Sequence, residues 1–374
     1  MNRAEREAAL LLLARMGITP AELLATAAHG RMDMPTFRSY VTQVSQSVPA
    51  ATRHAYDTYW RRVVDEWGDR RIDEPTPLEI AQLCERQKLQ LATRKNSRGG
   101  RSATEHLISA LRCLYRHAVA DHLIPEADNP ALRVAKPRRQ PSTRRAIPDA
   151  RLAEIFTIVA TTGDDPELDT LILRLHIETA CRRGGALALR PCDLDSDQSL
   201  VMLREKGGTT RWQPISPTLM RRLVAHADAR EAASRTGVLR YRNGGPITAR
   251  RYDYLWSRVR QHLPWAAAQQ VSSHWLRHTT LTWVERHFGY AVARAYAGHT
   301  GGGSNAGTTA TYVRADVHEV AAALAALTGE PHPLAGWPIS VDTCVLTTEG
   351  SRGPLQAAAE MLAGGVNGIP GGDR

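Results

Sequence analysis

A proline-rich, basic segment at residues 125–148 is the feature that most constrains the fold of this chain. Between residues 136 and 145 it contains Pro137, Pro141 and several cations but no acidic residue. Proline lacks an amide hydrogen and has a fixed φ, so this stretch can continue neither a helix nor a central strand. The 374-residue chain is therefore expected to form two folded units joined by an extended basic connection. A disordered linker with incidental charge is the alternative.

The part before this segment predicts a compact, all-helical unit. Apolar residues recur at helical spacing from Tyr56 to Trp67, and Gly68 ends that stripe. Residues 76–79 (Thr-Pro-Leu-Glu) form a capping box with proline at the first helical position, which predicts a helix through Cys84. Residues 102–105 open a further helix. Residues 2–28 read as one or two short helices without evident chemistry.

The part after the segment predicts a mixed unit. Helices are expected at 149–160 and 166–180, the second opened by Asp165 as N-cap and Pro166. Short apolar runs around a Gly-Gly-Thr-Thr turn predict a hairpin or three-stranded antiparallel sheet over residues 193–215. Helices follow near 217–230 and 249–262. The predicted fold class is mainly α with a small antiparallel β-sheet.

The charge balance of the chain points to an acidic partner. The formal net charge is +10, which favours nucleic acid first and an anionic membrane only as a distant second. Five scattered cysteines without CxxC spacing are typical of a reducing compartment and argue against a disulfide framework or a zinc knuckle. No apolar run is long enough to span a bilayer, and no signal-peptide pattern is present. We expect a cytoplasmic protein.

The stretch from His274 to Tyr312 contains the residues most suited to chemistry. His274, Arg277 and His278 lie three and four apart and so share one helix face. A second apolar run leads to Gly298 and His299, and a glycine-rich loop precedes Tyr312. Guanidinium groups bind non-bridging phosphate oxygens, imidazoles move protons and a phenol can form a covalent intermediate. The combination indicates chemistry on a phosphate.

Each of these residues also has an ordinary interpretation. A histidine on a half-apolar helix is most often simply hydrogen-bonded, and a tyrosine in a Gly/Thr loop is most often just a loop residue. His274 and His278 at i,i+4 are also the spacing of a zinc helix. However, Trp275 stands where such a helix carries its glutamate base, and Arg277 would place a cation beside the metal. The combination with Arg182 and Lys206 upstream favours the phosphate interpretation.

Six polar residues, in this order and spacing, resemble the active-site pattern of the tyrosine recombinases, also called phage integrase family site-specific recombinases. They are Arg182, Lys206, His274, Arg277, His299 and Tyr312. The resemblance covers about residues 35–328. It implies a two-domain clamp made of a helical core-binding domain and a mixed α+β tyrosine-recombinase catalytic domain.

The resemblance divides the chain into five regions. Residues 1–34 are a helical extension, 35–134 the helical core DNA-binding domain, 135–148 the basic linker, 149–328 the catalytic domain and 329–374 a poorly ordered tail. It also suggests that the helix near 315–327, or the tail after it, docks on a neighbouring protomer.

Several positions depart from the family pattern. The family usually carries an acidic residue three after the first arginine, where this chain has Gly185. Ala180 stands where a glycine is usual, and Ala297 where leucine is common before Gly298. The interval from His299 to Tyr312 is also longer than usual. Gly185 leaves open how Arg182 is supported.

The resemblance implies that Tyr312 attacks a DNA phosphate, forming a 3′-phosphotyrosyl bond and releasing a 5′-hydroxyl. Arg182 and Arg277 would hold the non-bridging oxygens, and His299 would add a donor. His274 would act as general base, Lys206 as general acid, and His278 would support the reacting groups from behind. No cofactor and no metal are expected, because two guanidiniums supply the positive charge that Mg²⁺ gives elsewhere.

The implied partner is double-stranded DNA, bound by a homotetramer on two DNA sites. A monomer or dimer is expected without DNA, and association with the nucleoid is expected when the protein is bound to DNA. An accessory directionality or host protein is an optional partner. Candidate DNA contacts lie in the loop before the helix at 102 and in the linker. They are Arg94, Lys95, Arg98, Arg101, Lys136, Arg138, Arg139, Arg144 and Arg145.

Other functions remain open from the sequence. A type IB topoisomerase-like enzyme would use the same chemistry without a defined target. A non-catalytic DNA-binding protein on the same fold is encouraged only by Gly185. A zinc hydrolase is disfavoured by Trp275 and Arg277.

Overall fold

A computed structural model of the chain describes residues 3–19, 34–91, 101–138, 144–205, 208–298 and 315–336. The chain divides into two compact units, residues 1–141 and 142–374, so the boundary falls within the basic segment. None of the helices in the described ranges is both long and apolar enough to cross a membrane.

The described part of the first unit is all-helical. Its helices are α1 (Arg3–Arg15), α2 (Phe37–Ser47), α3 (Ala50–Trp67), α4 (Pro77–Leu91) and α5 (Arg101–Ala120).

The core of this unit forms where α2, α3 and α5 pack together. Phe37, Trp60 and Tyr115 are almost fully buried, and each such side chain contributes about 1.5–3 kcal/mol relative to an exposed one. Their polar atoms are satisfied, since Trp60 Nε1 donates to Ala110 O at 3.1 Å and the Tyr115 hydroxyl donates to Ile72 O at 3.0 Å. The predicted stripe on α3 therefore contributes to this core.

The predicted capping box opens α4. Thr76 N donates to Glu79 Oε2 at 2.8 Å, and Glu79 N donates to Thr76 Oγ1 at 3.2 Å, which satisfies two amide groups at the helix start. The helix runs to Leu91 rather than ending near Cys84, because no glycine or proline interrupts it earlier.

The second unit combines helices with one small sheet. Its helices are α6 (Asp149–Thr161), α7 (Pro166–Thr179), α8 (Arg183–Leu187), α9 (Pro217–Ala229), α10 (Ala249–His262), α11 (Pro264–Gln269), α12 (Ser273–Tyr296) and α13 (Val317–Thr328). Its strands are β1 (Leu194–Asp195), β2 (Leu200–Arg204) and β3 (Thr210–Pro214).

The strands form an antiparallel sheet in the order β1-β2-β3. Leu194 pairs with Val201, and Leu203 pairs with Arg211 across the second hairpin. The predicted fold class, mainly α with a small antiparallel sheet, is confirmed for the described residues.

Helix α7 lies at the centre of the second unit and packs against α6, α9 and α12. Its Asp165 N-cap accepts a hydrogen bond from Leu168 N at 3.3 Å. Asp169 is fully buried and accepts hydrogen bonds from Arg251 Nε at 2.7 Å and from Arg258 Nη2 at 2.6 Å. The two arginines neutralise the buried Asp169 carboxylate, which would otherwise be destabilised by its loss of hydration. The same contacts hold α10 against α7.

The end of the described chain is also held within this unit. Helix α13 packs against α12 and β3, with Leu324 and Leu327 fully buried. Beyond it, Glu330 Oε1 accepts a hydrogen bond from Thr218 N at 2.8 Å, and the buried His332 lies 3.2 Å from Ser199 O. Residues 329–336, the first part of the predicted tail, are therefore packed rather than poorly ordered. Residues 337–374 lie outside the described part.

Candidate active site

Arg182 is placed by the end of α7. The last turn is followed by Ala180 in the left-handed conformation (φ +48°), which turns the chain so that Arg182 becomes the N-cap of α8. A non-glycine residue in this conformation costs about 1–2 kcal/mol, which explains why a glycine suits this position. Arg182 Nη1 donates to Glu205 Oε2 at 2.8 Å, while the side chain stays 40% exposed. The guanidinium is thus fixed on one side and open to a ligand on the other.

Arg277 lies in the first turns of α12 and is buried. It donates through Nη1 to Ala180 O and through Nη2 to Ala297 O, the second at 2.8 Å. The pKa of Arg277 is lowered to about 10, most of all by burial and then by the positive charge of Arg182, while the Glu205 carboxylate opposes this shift. The group therefore remains charged at neutral pH, and it joins the end of α7 to the chain just before His299.

His274 is exposed, one turn before Arg277 on the same helix. Desolvation lowers the pKa of His274 most, and the positive charges of Arg144, Arg277, His278 and Arg182 lower it as well. A histidine with a lowered pKa is neutral at pH 7, which is the form that accepts a proton.

His278 lies one turn further along α12. Its Nδ1 lies 3.1 Å from Thr282 Oγ1, so its ring orientation is set from within the helix. It shares a helix face with His274, four residues before it on α12.

Arg182 and His274 border the same open cleft, which has a volume of about 350 Å³. Arg183 and Arg260 also line it, so three guanidiniums face this space together with one carboxylate, that of Asp253. Such a balance attracts an anion.

Two further residues of the site were missed by the sequence analysis. Glu205, the residue immediately after β2, has a side chain only 3% exposed and pairs with Arg182. Arg211 on β3 is 11% exposed, and its Nη2 lies 3.7 Å from Glu205 Oε1. Arg211 Nη2 also donates to Thr179 O at 3.4 Å, and Nη1 donates to Gln213 Oε1. The only sequence signal for Glu205 was its position next to Lys206.

The structure brings Arg182, Arg277 and His274 together, with His278 behind them. Lys206, His299 and Tyr312 lie outside the described residues, so their place in the site stays a prediction.

Two other tyrosines near this site have their hydroxyls engaged elsewhere. The hydroxyl of the buried Tyr252 lies 2.9 Å from His176 Nε2. The buried Tyr296 donates to Glu178 O. Burial raises the pKa of both phenols well above 10, which makes them poor nucleophiles.

The predicted DNA contacts are only partly described. Lys136 and Arg138 lie in the last part of the first unit, and Arg144 and Arg145 begin the described part of the second. Arg101 begins α5, and its side chain lies outside the description, as do Arg94, Lys95, Arg98 and Arg139. Their contact with DNA stays a prediction.

The zinc alternative gains nothing from the structure. Within the described ranges, no group of three or more His, Cys, Asp or Glu side chains is arranged to hold a metal ion. His274 and His278 have Arg277 between them in a site dominated by guanidiniums, which is an unfavourable setting for a cation.

Sequence comparisons agree with this geometry. The phage integrase family profile matches residues 145–319. The chain is 28% identical over 244 residues to tyrosine recombinase XerC of Xanthomonas campestris pv. campestris (strain B100), covering 63% of this chain and 71% of that protein. It is 22% identical over 263 residues to tyrosine recombinase XerC of Listeria monocytogenes serotype 4b, covering 68% and 83%.

Structural comparisons match the same fold. A lambda integrase tetramer bound to a Holliday junction aligns with a TM-score of 0.58 at 14% identity, over 80% of this chain and 88% of that one. The Tn1549 transposon integrase in complex with circular intermediate DNA aligns with a TM-score of 0.54 at 15% identity, over 75% and 95%.

These matches favour neither the topoisomerase nor the non-catalytic alternative. Residues 145–319 match the phage integrase family, and over most of its length the chain is similar to tyrosine-type site-specific recombinases.

Proposed function

We propose that this recombinase cuts and rejoins DNA strands through a 3′-phosphotyrosyl intermediate formed at Tyr312. The observation that carries the proposal is the open, positively charged cleft bordered by Arg182 and His274, with the buried Arg277 one turn from His274 on α12. A scissile phosphate is the ligand that this combination suits, because two guanidiniums can bind its non-bridging oxygens as charge accumulates there.

The phenol needs help to attack. A tyrosine of pKa about 10 is ionised in roughly one molecule per thousand at pH 7, a deficit of about 4 kcal/mol. In our proposal, His274 accepts the phenolic proton as the Tyr312 oxygen bonds to phosphorus. The bond from phosphorus to the 5′-oxygen breaks, and Lys206 donates a proton to that oxygen. His299 adds a hydrogen bond to the phosphate.

The reaction conserves the phosphodiester bond energy, since one phosphate ester replaces another. The freed 5′-hydroxyl can therefore attack the phosphotyrosine and restore a DNA strand without ATP. Exchange of strands between two DNA sites requires a tyrosine at each cut. We propose a homotetramer on two double-stranded DNA sites, assembled from monomers or dimers, and the lambda integrase tetramer on a Holliday junction supports this arrangement by likeness of fold.

Binding would depend on the basic residues flanking the site. In the proposal, Lys136, Arg138, Arg144 and Arg145 contact phosphates along the duplex. Such contacts carry little sequence information and position the catalytic unit on DNA.

The test is to trap the covalent adduct on nicked fragments of genomic DNA, locate the modified tyrosine by mass spectrometry and sequence the attached DNA ends. We expect Tyr312→Phe to abolish the adduct while DNA affinity stays nearly unchanged. Tyr290→Phe is the matched control, because Tyr290 is an exposed tyrosine of the same unit (64%) with no part in the proposal. An adduct that persists in Tyr312→Phe would refute the assignment.

A further inference from the structure

The carboxylate of Glu205 is buried between two guanidiniums. Its Oε2 accepts the 2.8 Å hydrogen bond from Arg182 Nη1, and its Oε1 lies 3.7 Å from Arg211 Nη2. Oε1 is buried and makes no hydrogen bond to any described residue. Burying a carboxylate to 3% exposure costs desolvation free energy unless nearby cations compensate its charge. Arg182 and Arg211 therefore determine where the Glu205 carboxylate lies.

The three arginines of the site repel one another. The charges of Arg182 and Arg211 both lower the pKa of Arg277, and Glu205 raises it. Burial lowers the pKa of Arg211, and the Glu205 carboxylate partly offsets that shift. Among the described residues, Glu205 is the carboxylate that contacts both Arg182 and Arg211. It therefore offsets the repulsion that would otherwise drive the exposed Arg182 side chain away into solvent.

Gly185 lies on the other side of the same carboxylate, in α8. A Cβ at Gly185 would be 4.0 Å from Glu205 Oε1, 3.8 Å from Cys181 Cβ and 3.5 Å from Arg204 O, all ordinary contacts. A short acidic side chain at position 185 would therefore point into the space that Glu205 fills. A carboxylate beside Arg182 could therefore be supplied either from position 185 in α8 or from position 205 immediately after β2.

From this geometry we infer that Glu205 is the positioning residue that holds Arg182 in place for the scissile phosphate, with the residue after β2 supplying a carboxylate that α8 cannot supply at Gly185. The inference rests on the proposed function, since Arg182 must act on the phosphate for its position to matter. Glu205 itself touches Arg182 and not the reacting atoms.

The experiment compares single-turnover adduct formation at saturating DNA, together with DNA affinity and melting temperature. Glu205→Ala is expected to slow adduct formation about 10²-fold, the effect of displacing a catalytic group by about 1 Å. Glu205→Gln keeps an acceptor but loses the charge, so its rate should fall between Glu205→Ala and wild type. DNA affinity should change far less than the rate, because Arg182 is one contact among many.

The decisive variant moves the carboxylate to the other element. Gly185→Asp in the Glu205→Ala background should recover at least ten-fold of the lost rate, since the aspartate enters the vacated space. Gly185→Ala in the same background is the matched control, because it fills space without charge, and it should recover nothing. Equal recovery by alanine would show that packing rather than charge matters and would overturn the inference.

The outcomes separate the inference from the proposed function. If wild type forms no adduct at Tyr312, the proposed function fails. If wild type forms the adduct and Glu205→Ala forms it at the same rate with an unchanged melting temperature, the positioning role alone is refuted. A slow Glu205→Ala that Gly185→Asp does not restore would also refute it, because the defect would then lie in the strand and not in Arg182.

Discussion

Replacement of Gly298 by alanine tests whether Arg211, on β3 beside Glu205, contributes to the function of the site. Gly298 has φ +70°, and a Cβ there would lie 2.4 Å from Arg211 Nε and 2.7 Å from Arg211 Cδ. Ordinary contact begins near 3.4 Å, so Arg211 would have to retreat by about 1 Å.

The surroundings of Arg211 leave it little room to do so. The Arg211 side chain is 11% exposed, donates hydrogen bonds to Gln213 Oε1 and Thr179 O, and lies beside Glu205. Its displacement would be transmitted to Glu205 and from there to Arg182.

The expected cost has two separate parts. A left-handed alanine costs about 1–2 kcal/mol of stability, and in a unit of this size each kcal/mol lowers the melting temperature by about 2–4 °C. A displacement of catalytic groups by about 1 Å slows strand cleavage about 10²-fold. Gly298→Ala should show both effects.

Gly244→Ala is the matched control. Gly244 has φ +77°, and among the described residues a Cβ there would meet only Arg230 O, at 3.9 Å. It should lose similar stability from backbone strain and retain near wild-type cleavage. The assay is covalent adduct formation in a single turnover, with melting temperature measured on the same preparations. Equal cleavage rates in the two variants would refute the proposed connection from Gly298 through Arg211 to the site.

Two further predictions concern pH. Arg144→Gln removes a cation that lowers the pKa of His274, so the pKa of His274 should rise and the acidic limb of the pH–rate profile for adduct formation at saturating DNA should move to higher pH. Arg145→Gln removes a neighbouring cation as a control and should leave that limb in place. An unmoved limb in both variants would contradict the role of His274 as base. The buried His176 has its pKa lowered to about 4 from 6.5, so its contribution to stability is complete above pH 6.5 and is lost as pH falls toward 4, by up to about 3 kcal/mol. Urea unfolding across this pH range should show a smaller loss of the free energy of unfolding for His176→Gln than for wild type. Parallel curves of unfolding free energy against pH for the two proteins would contradict this role of His176.

The sequence by itself determined much of the local structure and predicted which groups react. The capping box at Thr76 and Glu79, the helix that begins at Pro166 and the hairpin over residues 193–215 all follow from signals within a few residues of one another, because capping and strand pairing across a tight turn are short-range interactions. Helix ends were less certain, since α4 continues past Cys84 to Leu91 where no strong terminating residue intervenes.

Only the tertiary structure decided how the site is supported. Arg182 pairs with Glu205 immediately after β2, Arg277 donates to carbonyls at Ala180 and Ala297, and Arg211 packs on Gly298. These contacts join segments that are distant in sequence, and a charged residue carries no local mark of the partner it will meet. Pairing of buried charges is set by which strand and helix ends come together in the packed core, because only there does desolvation make an unpaired charge costly.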